Sequence, residues 1–236
     1  MAGVLAAALT ATGCSSATAP TTTPTVSASE TSPRSLTQVE AQRLARLPYE
    51  VYRHIGLHFD STLTTAKGSV RFDGDVNYRS GIGYATAIGD GAAFTLQWNS
   101  SIFAAWTASA TQVEPPPDLP TGKPAGRPLA PAKSLSDALL SLLLQLGRDR
   151  PGNAREIRQQ GGRFLRDAVV DGQPVEVLQG PRTSGSAKAT TDVDYWLGDS
   201  GRLVRVEASI DGNPPTEIDL SAAKYRPFLV TPVLRR

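Results

Sequence analysis

The chain has 236 residues, 40% of them hydrophobic and 19% charged, and a formal net charge of +2. That supplies core material for one large domain with tails, and far too small a positive excess for nucleic acid, which is excluded as a partner. A single cysteine, Cys14, and two histidines, His54 and His58, rule out an intramolecular disulfide and the usual Cys/His zinc spacings, so no metal or cofactor is expected.

Residues 1–13 form a short, apolar, uncharged segment that ends in small residues directly before Cys14. With Ala11, Thr12 and Gly13 ahead of the cysteine, the segment resembles the bacterial lipoprotein signal, although Ala11 stands where leucine is usual. No Lys or Arg precedes Arg34, whereas an export signal begins with a positive stretch, so translation is expected to start upstream of Met1. The resemblance implies that Cys14 is lipidated, becomes the mature N-terminus and anchors the protein on the extracytoplasmic face of the cell membrane. Residues 14–35 follow as a tether: from Ser15 to Ser35 all but Val26, Glu30 and Arg34 are Ser, Thr, Ala or Pro. Such a segment cannot bury enough apolar surface to offset its ordering entropy.

A single domain is expected over residues 36–230. It opens with a helix capped by Ser35 or Thr37, with Leu36, Val39, Leu44 and Leu47 available for burial and Pro48 as its end or kink. Five strand-like segments follow, reaching Ala108, with turn chemistry at Lys67-Gly68, Gly89-Asp90-Gly91 and Asn99-Ser100. In Phe94-Thr-Leu-Gln-Trp98 the alternation puts Phe94, Leu96 and Trp98 on a core face and Thr95 and Gln97 on a wet one. Residues 110–133 carry seven prolines, which predicts an extended surface excursion without regular structure.

Between the two strand-rich blocks lies the one strongly helical apolar run, Ser134 to Gly147. Ser134 is placed as its cap, Asp137 in its first turn and Gly147 at its end. Leu135, Ala138, Leu139, Leu142, Leu143 and Leu146 repeat at the helical period, while Leu140 and Leu144 widen the stripe, so most sides of this helix need cover. An arginine-rich stretch from Arg148 to Arg166 follows and reads as a solvated face, or else as a contact to anionic lipid. A second meander then runs to Leu220, with hairpin turns at Asp171-Gly172, Gly198 to Gly201 and Asp211-Gly212. The order helix, meander, helix, meander predicts an α+β fold: a large curved antiparallel sheet, a half-barrel, with helices packed on its concave face.

Residue patterns with catalytic overtones have duller explanations. Gly198-Asp-Ser-Gly201 spells a serine-protease nucleophile motif, but it falls where a hairpin turn is needed and no histidine context accompanies it. His54 and His58 would share one face of a strand, yet zinc needs a third ligand. Gly81-Ile-Gly83 lacks the remainder of a dinucleotide fingerprint. Asp73 with Asp75, and Asp192 with Asp194, are spaced to share a face, which makes a glycosidase pair conceivable, though solvent-facing roles are favoured. No catalytic residue is assigned, and the protein is expected not to be an enzyme.

Leu165 to Gly180, with its Val-Asp-Gly hairpin, and Asp194 to Ala208, with Trp196, Leu197, Gly201 and the Leu-Val-Arg-Val run from Leu203, resemble the second half of the mycobacterial LppX/LprG lipoproteins. That resemblance, and the LolA/LolB carriers of similar shape, implies an apolar cavity between sheet and helices that holds the acyl chains of a lipid or lipoglycan. The lining residues expected are Phe94, Leu96, Trp98, Trp106, Leu139 and Leu143. The alternative is a non-catalytic envelope interaction or chaperone-like module with a fully packed core.

Overall fold

The structure, a computed structural model, describes residues 32–65, 68–108, 123–181, 183–184, 190–210 and 212–234. Cys14, the signal segment, nearly all of the tether and most of the proline-rich excursion lie outside the described residues. The elements in chain order are β1 (Arg34–Ser35), α1 (Gln38–Arg53), β2 (Gly56–Thr65), β3 (Gly68–Asn77), β4 (Ile82–Gly89), β5 (Ala92–Trp98), β6 (Ile102–Ala108), β7 (Ala125–Pro128), α2 (Leu135–Gln145), α3 (Ala154–Gln159), β8 (Arg163–Val170), β9 (Gln173–Gln179), β10 (Thr183–Ser184), β11 (Thr190–Gly198), β12 (Leu203–Ile210) and β13 (Thr216–Ser221), with a 3-10 turn over Pro232–Leu234.

The strands form one antiparallel sheet, ordered β1-β8-β9-β11-β12-β13-β2-β3-β4-β5-β6-β7 with β10 beside β11. Both meanders read from the sequence are present, and the pairing of β13 with β2 fuses them into one open curved sheet, as in the predicted α+β architecture. Two hairpins turn on residues with positive φ, Asp90-Gly91 and Asp171-Gly172. Positive φ at both central residues matches the twist of the flanking strands, and Asp followed by Gly is the common solution.

The helices cover one face of the sheet. Leu57, Phe59 and Leu63 of β2, Phe72 and Val76 of β3, Leu96 and Trp98 of β5, and Val206 and Ile218 of β12 and β13 join Leu44, Leu47 and Val51 of α1 and Leu139, Leu140, Leu143 and Leu146 of α2 in one core. Each fully buried Leu is worth roughly 1.5–3 kcal/mol, so the wide apolar stripe of α2 is satisfied by packing. Its docking is also directional, because the Trp98 indole N–H donates to the carbonyl of Leu140 at 3.0 Å. Gly83 is the floor that allows this: a Cβ there would stand 2.1 Å from the Trp98 ring.

Several sequence expectations are narrowed or corrected. Thr37, not Ser35, caps α1, with a full capping box to Glu40, and the helix runs through Pro48 to Arg53. The loop after α2 lies alongside this stretch and supplies donors to it, Gly152 N–H to the Ala45 carbonyl and Arg148 N–H to the Pro48 carbonyl. Residues 125–128 are not irregular but form edge strand β7 on β6, a position where proline costs little because no further strand needs its N–H. Gly147 directly follows the α2 C-cap Leu146, as expected, and the Tyr78 ring, 2.4 Å from where its Cβ would be, requires glycine there. His54 lies in the turn that ends α1, outside the strand holding His58.

The face expected to be wet is covered. Thr95 and Gln97 are buried because residues 222–234 run across the back of the sheet as a strap. The Gln97 side chain behaves like a strand backbone, donating to the Leu229 carbonyl at 2.6 Å and accepting from Thr231 N–H at 2.8 Å. Phe228 stacks on Tyr84 with ring centroids 5.3 Å apart, and Arg226 N–H donates to the buried Asp75 carboxylate at 3.1 Å.

Candidate functional site

Two concavities stand out, one on each face of the sheet. The first opens at the seam where the C-terminal half of α1 meets β2, β12 and β13. It is lined by Leu47, Val51, Leu57, Leu203 and Leu220, with Glu50, His54 and Arg202 around it, and encloses about 80 Å³. The five aliphatic side chains are buried, while Glu50, His54 and Arg202 are exposed, so the space has an apolar interior under a polar rim. The turn from Gly198 to Gly201 reaches this rim at Gly201. It is a reverse turn closed by Gly201 N–H to the Gly198 carbonyl at 2.7 Å, and Ser200 is exposed at its tip with no hydrogen bond to either histidine. Turn geometry accounts for the protease-like tetrapeptide.

The second concavity, about 770 Å³, lies on the strap side, between the β8–β9 hairpin tip and the strap. Its charged lining includes Asp60, Arg71, Asp73, Asp219, Lys224 and Arg226. Asp60 and Asp73 are direct cross-strand partners. Two like charges so placed repel, and Arg71 offsets this by binding Asp60 and standing 3.9 Å from Asp73. Burial raises the Asp73 carboxyl above its usual range, with the Asp60 charge acting in the same direction and His58, Arg71 and Arg226 against it. Asp219 is bonded by Arg205 at 2.7 Å, and Asp75 stands 3.4 Å from the His58 ring. Asp60 and Asp219 are thus each engaged by a guanidinium, the arrangement of an ion-pair network rather than of an acid and a nucleophile held free across a cleft.

The other aspartate pair is also on one side of its strand. Asp194 is pushed up to about 6, chiefly by burial, with the neighbouring charges of Glu207 and Asp192 adding to it and a hydrogen bond from Gln179 and the charge of Arg166 opposing it. Among the described residues no group of three or more His, Cys, Asp or Glu side chains is placed to hold a metal ion.

The expected lining residues are distributed as follows. Leu96, Trp98, Leu139 and Leu143 are buried together in the helix-side core, and Phe94, on the same strand as Leu96 and Trp98, is 41% exposed. Trp106 is corrected: it pairs with Thr95, so it belongs to the opposite side of the sheet from Leu96 and Trp98. The seam cavity uses other residues, Leu47, Val51, Leu57, Leu203 and Leu220. Sequence periodicity marked Leu47 for burial but held no signal that α1 and β12 meet.

No protein-family model matches the chain, and no curated protein does; the LppX/LprG name read from two hairpins is not supported by either comparison. Among solved structures the chain is similar to a DUF1329 family protein from Desulfovibrio piger, with a TM-score of 0.35 and 9% identity over 75% of this chain and 91% of that one. A likeness at that TM-score carries no argument about function.

Proposed function

We propose that this chain is a cell-envelope lipoprotein, anchored on the extracytoplasmic face of the membrane through an acylated Cys14, that takes the acyl part of a lipid or lipoglycan between α1 and the curved sheet and acts without catalysis. The observation that carries the reading is the seam cavity, an aliphatic space with a polar rim at the junction of helix and sheet. Its 80 Å³ is smaller than the roughly 300–1,000 Å³ typical of ligand sites, so binding requires α1 to lift from β2 and β12. Two features favour movement there. Pro48 removes one backbone hydrogen bond within α1, and Ile55 at the end of the helix has a φ of 67°, a conformation a β-branched residue adopts only under strain.

The test is mass spectrometry of the organic extract of the protein purified from membranes, alongside a Cys14→Ala variant. Expected are a diacylglyceryl mass on Cys14, release of the variant from the membrane fraction, and a co-purifying acyl lipid. Unmodified Cys14 would overturn the anchor, and a protein that stays empty after incubation with lipid vesicles would overturn the carrier. A second reading, a non-catalytic interaction module with a packed core, is favoured by the complete burial of Leu139, Leu140 and Leu143 and by the Trp98 to Leu140 hydrogen bond. It predicts the empty protein.

A further inference from the structure

The arginine-rich stretch after α2 is gathered by the fold onto one face. Residues 148–152 run beside α1, tied at Pro48 and Ala45 by the two backbone hydrogen bonds from Arg148 and Gly152. Helix α3 continues the same course, and Arg158 donates to the Gln38 side chain at 3.1 Å, at the start of α1. Arg163 then pairs with Ser35 in β1. The exposed arginines 46, 148, 150, 155, 158 and 163 therefore lie along α1, α3 and the start of β8, against Asp149 and Glu156 within the same stretch and Glu50, paired with Arg53, on α1. Arg46, Arg148, Arg155 and Arg163 have no ion pair among the described residues.

Two further facts distinguish this face from an ordinary solvated one. Val39, in the first turn of α1 next to Gln38, is 63% exposed, a large apolar side chain left uncovered on the outer side of the helix. The tether from Cys14 also joins the fold here, because Arg34–Ser35 is β1 and pairs with Arg163 and Phe164. An acylated Cys14 is twenty residues from Arg34 by the numbering, so the anchored bilayer is within reach of this face, up to about 70 Å along an extended chain.

We propose that the face formed by α1, the 148–153 loop, α3 and Arg163 docks the domain on an anionic phospholipid bilayer. This rests on the membrane-anchored reading above and adds to it an orientation. The guanidinium groups pair with lipid phosphates, and Val39 enters the headgroup region. Acylation by one or more chains then acts together with a basic surface, the two-signal arrangement that makes peripheral binding stable. Docked this way, α1 lies along the bilayer surface with the 148–152 loop and α3 beside it.

The test uses the full chain carrying Cys14→Ala, so that no acyl anchor contributes, and co-sedimentation with vesicles of phosphatidylglycerol and phosphatidylcholine in equal parts or of phosphatidylcholine alone. Binding is expected only to the anionic vesicles, with loss on raising salt from about 0.05 M to about 0.5 M. Each cation near an anionic surface contributes a factor of about five, so the combined Arg46→Gln, Arg148→Gln, Arg155→Gln and Arg163→Gln variant should bind at least tenfold more weakly. A control that removes three charges away from this face and from the seam cavity, Lys123→Gln, Lys133→Gln and Lys224→Gln, should bind as the parent does. Equal loss in both variants, or binding that ignores lipid charge, overturns the docking face. The mass of native Cys14 is scored separately: an acylated cysteine with no vesicle binding by the parent sinks this face alone, and an unmodified cysteine with intact face-dependent binding sinks the anchor alone.

Discussion

Filling the seam cavity is the most direct way to separate a carrier from a packed module. Val51 is buried in α1 and lines the cavity with Leu47, Leu57 and Leu203. Val51→Phe directs a larger apolar side chain into that space. In cores the cost of a void is about 24 cal/mol per Å³, so an empty cavity of 80 Å³ costs about 2 kcal/mol, and that is the most filling it can return. Imperfect fit subtracts from this gain, since overpacking a closed core costs about 1–3 kcal/mol. The expected result is a stability between unchanged and about 2 kcal/mol higher, equivalent to a Tm rise of up to about 8 °C for a domain of this size, together with loss of co-purifying acyl lipid. Chemical denaturation and mass spectrometry of the same preparation read both quantities. A loss of more than about 2 kcal/mol would show that no free space exists at the seam. Undiminished lipid in a stable Val51→Phe protein would refute the assignment of the cavity to the ligand.

Three other predictions concern how the fold holds the site. Asp137, buried at the start of α2, receives both guanidinium nitrogens of Arg127 and the Ala130 N–H; these hydrogen bonds and the Arg127 charge together outweigh burial and hold its carboxyl below the usual range. Because Arg127 is half exposed and can be resolvated, Asp137→Asn should cost about 2–4 kcal/mol, and a loss under 0.5 kcal/mol in urea titration would contradict the role of the pair. Glu40 is held down to about 2 from 4.5, first by the Arg34 hydrogen bonds, against burial and aided by Thr37. Its contribution is present above pH 4.5 and is lost as pH falls toward 2, so Glu40→Gln should lower neutral-pH stability by about 1–2 kcal/mol and flatten the acid limb of the stability profile; parallel profiles for the two proteins would rule this out. Ile55, 49% exposed with a φ of 67°, should accept asparagine with a gain of about 1 kcal/mol by relief of backbone strain, whereas a Tm decrease would mean that its side chain packs in a way exposure does not reveal.

What the sequence alone determined is what depends on neighbours within a turn or a hairpin. Ser134 caps α2 and accepts from Asp137 N–H because capping is decided within four residues, and the Asp90-Gly91 and Asp171-Gly172 turns follow from the backbone freedom those pairs carry. The alternation in β5 placed Leu96 and Trp98 in the core correctly, since pleating fixes faces locally. Which surfaces meet was decided by the tertiary structure. The strap that buries Gln97 comes from 132 residues further along the chain, and β13 pairs with β2 across more than 150 residues, contacts whose loop-closure cost is repaid only once the whole sheet is assembled. Trp106 was misplaced for the same reason, because its side of the sheet is fixed by its register with Thr95 rather than by its own polarity. The seam cavity and the arginine face are likewise products of packing: α1 has to lie across β2 and β12 before five aliphatic side chains enclose a space, and beside α3 before separate arginines become one surface.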